Sequence, residues 1–216
     1  MLSLAGKALA WPDTPDGRRA AWAEMRRFEQ ALDSADSATA VLRGWCASHH
    51  LAQTPEIQAL RVAGADKPAD PAVRRTLRAR PGEAIRYRRV RLVCGDHVLS
   101  EADNWYRPGV LTDDMNQQLD TTDTPFGVVV RPLGFHRRTL GVQWLFEPLK
   151  RPPVGGARPD LAIPRDILRH RAVLTDARGV PFSLVVETYT SDVLADVRAA
   201  NRGRVPTLAT WSPPAS

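Results

Sequence analysis

Two short turn segments constrain this chain more than any other feature. "CGDH", residues 94–97, and "DARGV", residues 176–180, each stand between two runs rich in β-branched and apolar residues. Connections this short close a hairpin, whereas parallel pairing needs a crossover of about a dozen residues or more. "EAIRYRRVRLVCG" and "HVLSEADNWY", and then "ILRHRAVLTD" and "VPFSLVVETYT", are therefore read as antiparallel pairs. "EIQALRVAG" from Glu56 and an extended run from Phe126 through Phe146 are read as further strands of the same sheet.

Helical periodicity appears around these strands. After Asp13 and Thr14 as candidate caps and Pro15 in the first turn, Ala21, Met25, Phe28 and Leu32 recur at helical intervals. Val41, Leu42 and Trp45 restart the pattern behind Ser and Asp caps, and His49 and His50 close that second helix. "DPAVRRTL", "LTDDMNQQL" and "SDVLADVRAAN" read as short helices between strands. The expected class is α+β, a central antiparallel β-sheet with flanking helices. Residues 1–36 read as an N-terminal extension with one helix, 37–201 as the α+β domain and 202–216 as a Pro-rich tail; the Pro and Gly of "KRPPVGGARPDLAIPR", residues 150–165, read as a mobile excursion.

Composition removes several function classes. No stretch approaches the roughly 18 uninterrupted apolar residues of a membrane span. The 30 Lys and Arg against 24 Asp and Glu give +6, mostly from arginine, which suits carboxylate or phosphate partners. The basic residues are dispersed and no nucleic-acid-binding signature is present, so nucleic acid is not the expected partner. Cys46 and Cys94 lack metal-ligand spacing and read as two buried thiols. "MLSLAGKALAW" carries the small-residue pattern Ala8-Leu9-Ala10 of a signal-peptidase site but no complete signal peptide. The expected location is cytoplasmic. The alternative is a chain whose start truncates a signal peptide ending near Ala10, hence periplasmic or secreted, where the cysteines would be able to pair.

Two charged positions in strands stand out. Alternation puts Ser183, Val185, Glu187 and Tyr189 on one face of their strand and Phe182, Leu184, Val186 and Thr188 on the other, without saying which face meets solvent. On a solvent face Glu187 is an ordinary acid; on a packed face it lines a pocket. Tyr87, Arg89, Arg91 and Val93 likewise share a face, so Arg89 on a paired strand is a candidate to meet the same ligand as Glu187. Arg137 and Arg138 are adjacent, so one is a candidate to face inward to a second carboxylate and one outward, with exposure the expected reading for each; His136 and His170 are read as structural imidazoles.

In chain order, "RVRLVCGD" from Arg89, "TPFG" from Thr124 and "SLVVETYT" around Glu187 resemble motifs of the chorismate pyruvate-lyase family and of its fold relatives, the UTRA ligand-sensing domains, over roughly residues 37–194. The resemblance implies one antiparallel sheet with helical flaps over an internal site that uses no cofactor and no metal. It implies that Arg89 holds a substrate carboxylate, that Glu187 is the catalytic acid at the reacting end, and that Phe126 and Gly127 supply backbone and pocket wall. The implied activity is conversion of chorismate to a hydroxybenzoate and pyruvate. The implied alternative is a UTRA-like module that binds a small anionic aromatic or pre-aromatic acid without turnover. A dianionic substrate suits fixed guanidinium groups, and its elimination suits a positioned proton donor or acceptor.

Overall fold

The computed structural model describes residues 11–150 and 160–195 of the 216-residue chain. The Ala8-Leu9-Ala10 pattern, the tail over 202–216, the end of "SDVLADVRAAN" and most of the 150–165 excursion lie outside the described residues.

The first helix, α1 (Pro15–Asp33), starts where Thr14 accepts a hydrogen bond from the Gly17 amide and Pro15 presets the first turn. It buries Ala21, Met25, Phe28 and Leu32, the stripe expected from the sequence. Ser37 caps α2 (Ala38–Ser48) by accepting from the Ala40 amide at 3.2 Å. There follow β1 (Gln58–Arg61), α3 (Pro71–Thr76), β2 (Arg86–Cys94), β3 (His97–Tyr106), α4 (Asp113–Thr121), α5 (Phe126–Val129), β4 (His136–Trp144), β5 (Asp166–Thr175) and β6 (Pro181–Thr190).

The strands form one antiparallel sheet of order β1-β2-β3-β6-β5-β4, so the expected α+β class holds. Both expected hairpins are present, β2 to β3 and β5 to β6. The run from Phe126 to Phe146 is corrected: it opens with α5 and a 3₁₀ turn at Arg131–Leu133, and becomes a strand only at His136. Gly134, at φ 56°, supplies the left-handed residue that ends this turn.

Helices α1 and α2 pack on one face of the sheet, where Met25, Phe28, Leu42 and Trp45 meet Leu92, Ala102, Leu168 and Tyr189. On the same face, Met115, Leu119 and Val129 from α4 and α5 meet Tyr106, Leu174 and Phe182. On the opposite face, Val73 and Leu77 cover Trp105 and Leu184. Because α1 shares its core with the sheet, it is an integral layer of the fold. Cys46 and Cys94 are disulfide-bonded, joining α2 to the end of β2, which corrects the reading of two buried thiols. No helix among the described residues is long and apolar enough to cross a membrane.

Candidate functional site

The register fixes which side chains meet. Val90, Ala102, Glu187 and His170 are neighbours across β2, β3, β6 and β5, and the next row holds Arg88, Asn104, Val185 and Ala172. Both rows face the helices. Between the two helical clusters the floor is left uncovered by core side chains, and a cavity of about 60 Å³ remains there. Its floor includes Arg88, Asn104, Ser183 and Glu187, with Arg137 entering from β4, and its roof is the start of α2 with Phe126, Gly127 and Phe135.

Glu187 is 5% exposed, so its face is the packed one. Arg137 Nη2 donates to Glu187 Oε2 at 3.0 Å, and both side chains are buried. Arg137 is held further by the Leu32 carbonyl at 3.4 Å and by Thr139 Oγ1 at 3.2 Å. Burial opposes its charge, but the Glu187 carboxylate more than offsets this and holds the guanidinium above its ordinary proton affinity. The reading of Arg137 as exposed is therefore corrected; adjacent Arg138 takes the outward position that alternation leaves to it.

Among the side chains lining the cavity, Arg88 carries unsatisfied donors. It is 6% exposed, Nη2 reaches only the Thr124 carbonyl at 3.5 Å, and neither Nε nor Nη1 has a partner among the described residues. Burial, then the nearby Arg61 charge, lower its proton affinity. Beside it, Ser183 Oγ donates to Asn104 Oδ1 at 2.7 Å, which leaves the Asn104 amide nitrogen as a donor at the cavity.

Arg89 is not brought to this site. Its Nη2 donates to Glu101 Oε2 at 3.0 Å on the opposite face, and its side chain is 41% exposed. The expectation that Arg89 meets the same ligand as Glu187 is therefore corrected, because its face of "RYRRVRLV" turns away from the helices. The signal that identifies Arg88 lies in the same string: Val90 and Leu92 share its face, whereas the charged Arg91 shares that of Arg89. Phe126 and Gly127 do line the cavity. No residue-level signal marks Asn104 or Ser183, which meet only through strand pairing.

His170 is fully buried and neither ring nitrogen makes a hydrogen bond among the described residues, Nε2 lying 4.0 Å from Glu29 Oε1; burial, with the Arg137 charge adding to it, pulls its pKa to about 4. The ring is thus neutral near pH 7 and packs edge-on against Tyr189. Among the described residues no cluster of His, Cys, Asp and Glu is placed to hold a metal ion.

Sheet, helical roof and the pocket between them define the class: an α+β protein with one antiparallel sheet covered by helices. Within that class the chain belongs to the family of a protein described as uncharacterized protein y4mC, from Sinorhizobium fredii. The two are 46% identical over 192 residues, covering 85% of this chain and 81% of that protein. No family model matches the chain. Among solved structures it is similar to PhnF from Mycobacterium smegmatis, at 13% identity and a TM-score of 0.44, over 63% of this chain and 59% of that one. It is also similar to the effector domain of the same PhnF, at 13% identity and a TM-score of 0.42, over 63% and 82% of the two chains. A GntR-family transcriptional regulator from Enterococcus faecalis matches at 14% identity and a TM-score of 0.39, over 61% and 91%. The match thus spans 59% of that PhnF chain.

Proposed function

We propose that this protein binds a small organic acid in the cavity between sheet and helices, with Arg88 as the anchor of the acid group and Asn104 as a neighbouring donor. One observation carries the reading: Arg88 is a buried guanidinium whose Nε and Nη1 meet no acceptor among the described residues. Burying a charge without a partner costs several kcal/mol or more, and a carboxylate matches the guanidinium fork with two parallel hydrogen bonds. Phe126 and Phe135 give the roof of that cavity aromatic surface beside the acid group. Gly127 gives backbone rather than side chain to the same wall.

A second reading, the chorismate lyase, is favoured by one feature, the presence of Arg88, Arg137 and Glu187 at one cavity. Two guanidinium groups suit a dianion and a carboxylate suits proton transfer. Against it, Arg137 already engages Glu187, so the acid is committed to a structural partner. Binding without turnover is therefore the leading reading. The test is calorimetric titration with 4-hydroxybenzoate beside an assay of pyruvate release from chorismate. We expect binding that Arg88→Ala weakens and Arg89→Ala leaves unchanged, with no pyruvate above the spontaneous rate. Pyruvate release that disappears in Glu187→Gln would reinstate the lyase, and equal affinities of wild type and Arg88→Ala would remove the anchor.

A further inference from the structure

The outer face of the sheet, opposite the cavity, divides into two halves of different charge. Arg89, Asp103, Val186, Arg171 and Gly141 are neighbours in one row across β2, β3, β6, β5 and β4, and Arg91, Glu101, Thr188, Arg169 and Gln143 in the next. On β2 and β3 the charges are matched, because Glu101 takes Arg89, Arg91 and Arg165, and Asp103 takes Lys67. On β5 and β4 they are not. Arg169 donates to Thr188 Oγ1 at 3.1 Å and to Gln143 Oε1 at 3.5 Å, and Arg171 donates to Thr76 Oγ1 at 3.5 Å. Arg138 points outward in the adjoining row, opposite Val173. None of these three arginines meets a carboxylate among the described residues.

The same half ends in an open edge. β4 stands last in the strand order and pairs only with β5, so alternate N–H and C=O groups along its nine residues point away from the sheet. Among the described residues one side chain reaches that backbone, the Asp36 carboxylate, which accepts from the Arg137 amide at 3.2 Å. Natural edges are commonly guarded by a charge and a bulge, and Arg138 with the irregularity between Thr139 and Gly141 fits that use. Arg169 and Arg171 do not, because they lie one strand in from the edge. Gly141 stands between Arg171 and the edge, and a Cβ built on it meets nothing within 4 Å, so the outer face is open there.

We infer that β4 takes an extended, acidic segment of a partner protein as a seventh strand, whose alternate carboxylates meet Arg138 and, across Gly141, Arg171. Two residues along a strand cover about 6.6 Å and neighbouring strands lie about 4.8 Å apart, so acids two residues apart fall one strand spacing from Arg138 and two from Arg171. Both gaps are within the combined reach of an arginine and a glutamate. Val142, 40% exposed on the inner face of β4, offers an apolar contact to the segment's other face. Charge complementarity selects the partner. A second copy laid along the same edge fails, since β4 carries two Arg, one His and no acid. The chain's own residues 1–10, 151–159 and 196–216 hold one acid, Asp196, against one Lys and five Arg, and so supply no alternating carboxylates. Nucleic acid would meet the arginines but cannot continue the ladder of a strand. The inference does not depend on Arg88 as an acid anchor.

The experiment measures fluorescence anisotropy of three labelled peptides with the whole protein. One alternates Glu and Val, one alternates Lys and Val, and the third is the Glu peptide N-methylated at every amide, which keeps the charge and removes the strand hydrogen bonds. We expect the Glu peptide to bind and to slow amide exchange along β4, and the Lys peptide not to bind. N-methylation should weaken binding at least about tenfold, through loss of several backbone hydrogen bonds. The Arg138→Gln, Arg171→Gln double variant should weaken it about tenfold, as loss of two exposed ion pairs does, and Arg89→Gln should shift it less than about twofold. A Glu peptide that fails to bind, that binds equally when N-methylated, or that binds the double variant like wild type overturns the strand addition. A single-stranded oligonucleotide that binds more tightly than the Glu peptide and displaces it assigns the face to nucleic acid and overturns the inference as well.

Discussion

Replacing Arg88 by methionine should move stability and ligand affinity in opposite directions. The guanidinium is 6% exposed, makes one long contact to the Thr124 carbonyl at 3.5 Å, and leaves Nε and Nη1 unmet. A buried donor without an acceptor costs about 1–3 kcal/mol, and exchange of buried ionic groups for apolar ones of similar volume runs from neutral to about 4 kcal/mol stabilising. Methionine is flexible enough to lie against Val90 and Phe126 along the same path. After allowance for the lost Thr124 contact and for water reaching the cavity, a gain of about 1–2 kcal/mol is expected, or roughly 2–8 °C in Tm for a chain of this size. Acid binding loses two charge-assisted bonds at about 1.5–3 kcal/mol each, so affinity should fall at least about a hundredfold. Urea melts of the unliganded protein and calorimetric titration with 4-hydroxybenzoate read the two quantities. Arg88→Lys should retain part of the affinity, because an ammonium keeps the charge but not the fork. A destabilised Arg88→Met with unchanged affinity would refute the reasoning, since it would make Arg88 an ordinary structural cation.

The remaining predictions concern the buried groups around the cavity. Glu187→Ala strands the Arg137 guanidinium, 3.0 Å from the lost carboxylate, and should cost about 3–5 kcal/mol, most of it recovered in the Arg137→Met, Glu187→Met double variant; chemical denaturation of the three proteins checks this. His170 has its pKa lowered by burial to about 4 from an ordinary 6.5, so the unfolded chain takes up this proton first and stability falls as pH drops through that window. The loss is about 3 kcal/mol, and His170→Leu should show that much less loss between these pH values in urea melts. The Cys46–Cys94 bond, spanning a sequence separation of 48, should contribute about 4 kcal/mol by restricting the unfolded chain, read as the difference between oxidised and reduced protein. Structural disulfides belong to oxidising compartments, so we expect the native protein outside the cytoplasm; alkylation directly in cells that labels both cysteines would return it to the cytoplasm.

The hairpin turns, the period-two strands and the capped helices were local properties, set by spacings within a few residues, and so the sequence by itself determined the α+β class and the antiparallel pairing. It also determined that Glu187 shares a face with Ser183 and Tyr189, because alternation depends on nothing beyond the strand. What alternation leaves undetermined is which face receives the helices. That was decided by α1, α2, α4 and α5 docking over the rows of Val90 and Arg88, which buried Arg88 and Glu187 and turned Arg89 outward to Glu101. The short α5 arose at "TPFG" where apolar residues alone suggest a strand, because a four-residue helix has too few turns to show a period. Arg137 against Glu187 and Ser183 against Asn104 are separated by 50 and 79 residues, and Cys46 against Cys94 by 48. Each pair meets only when strands from distant parts of the chain join one sheet or a helix lies across them, and so these pairings are a property of the tertiary structure alone.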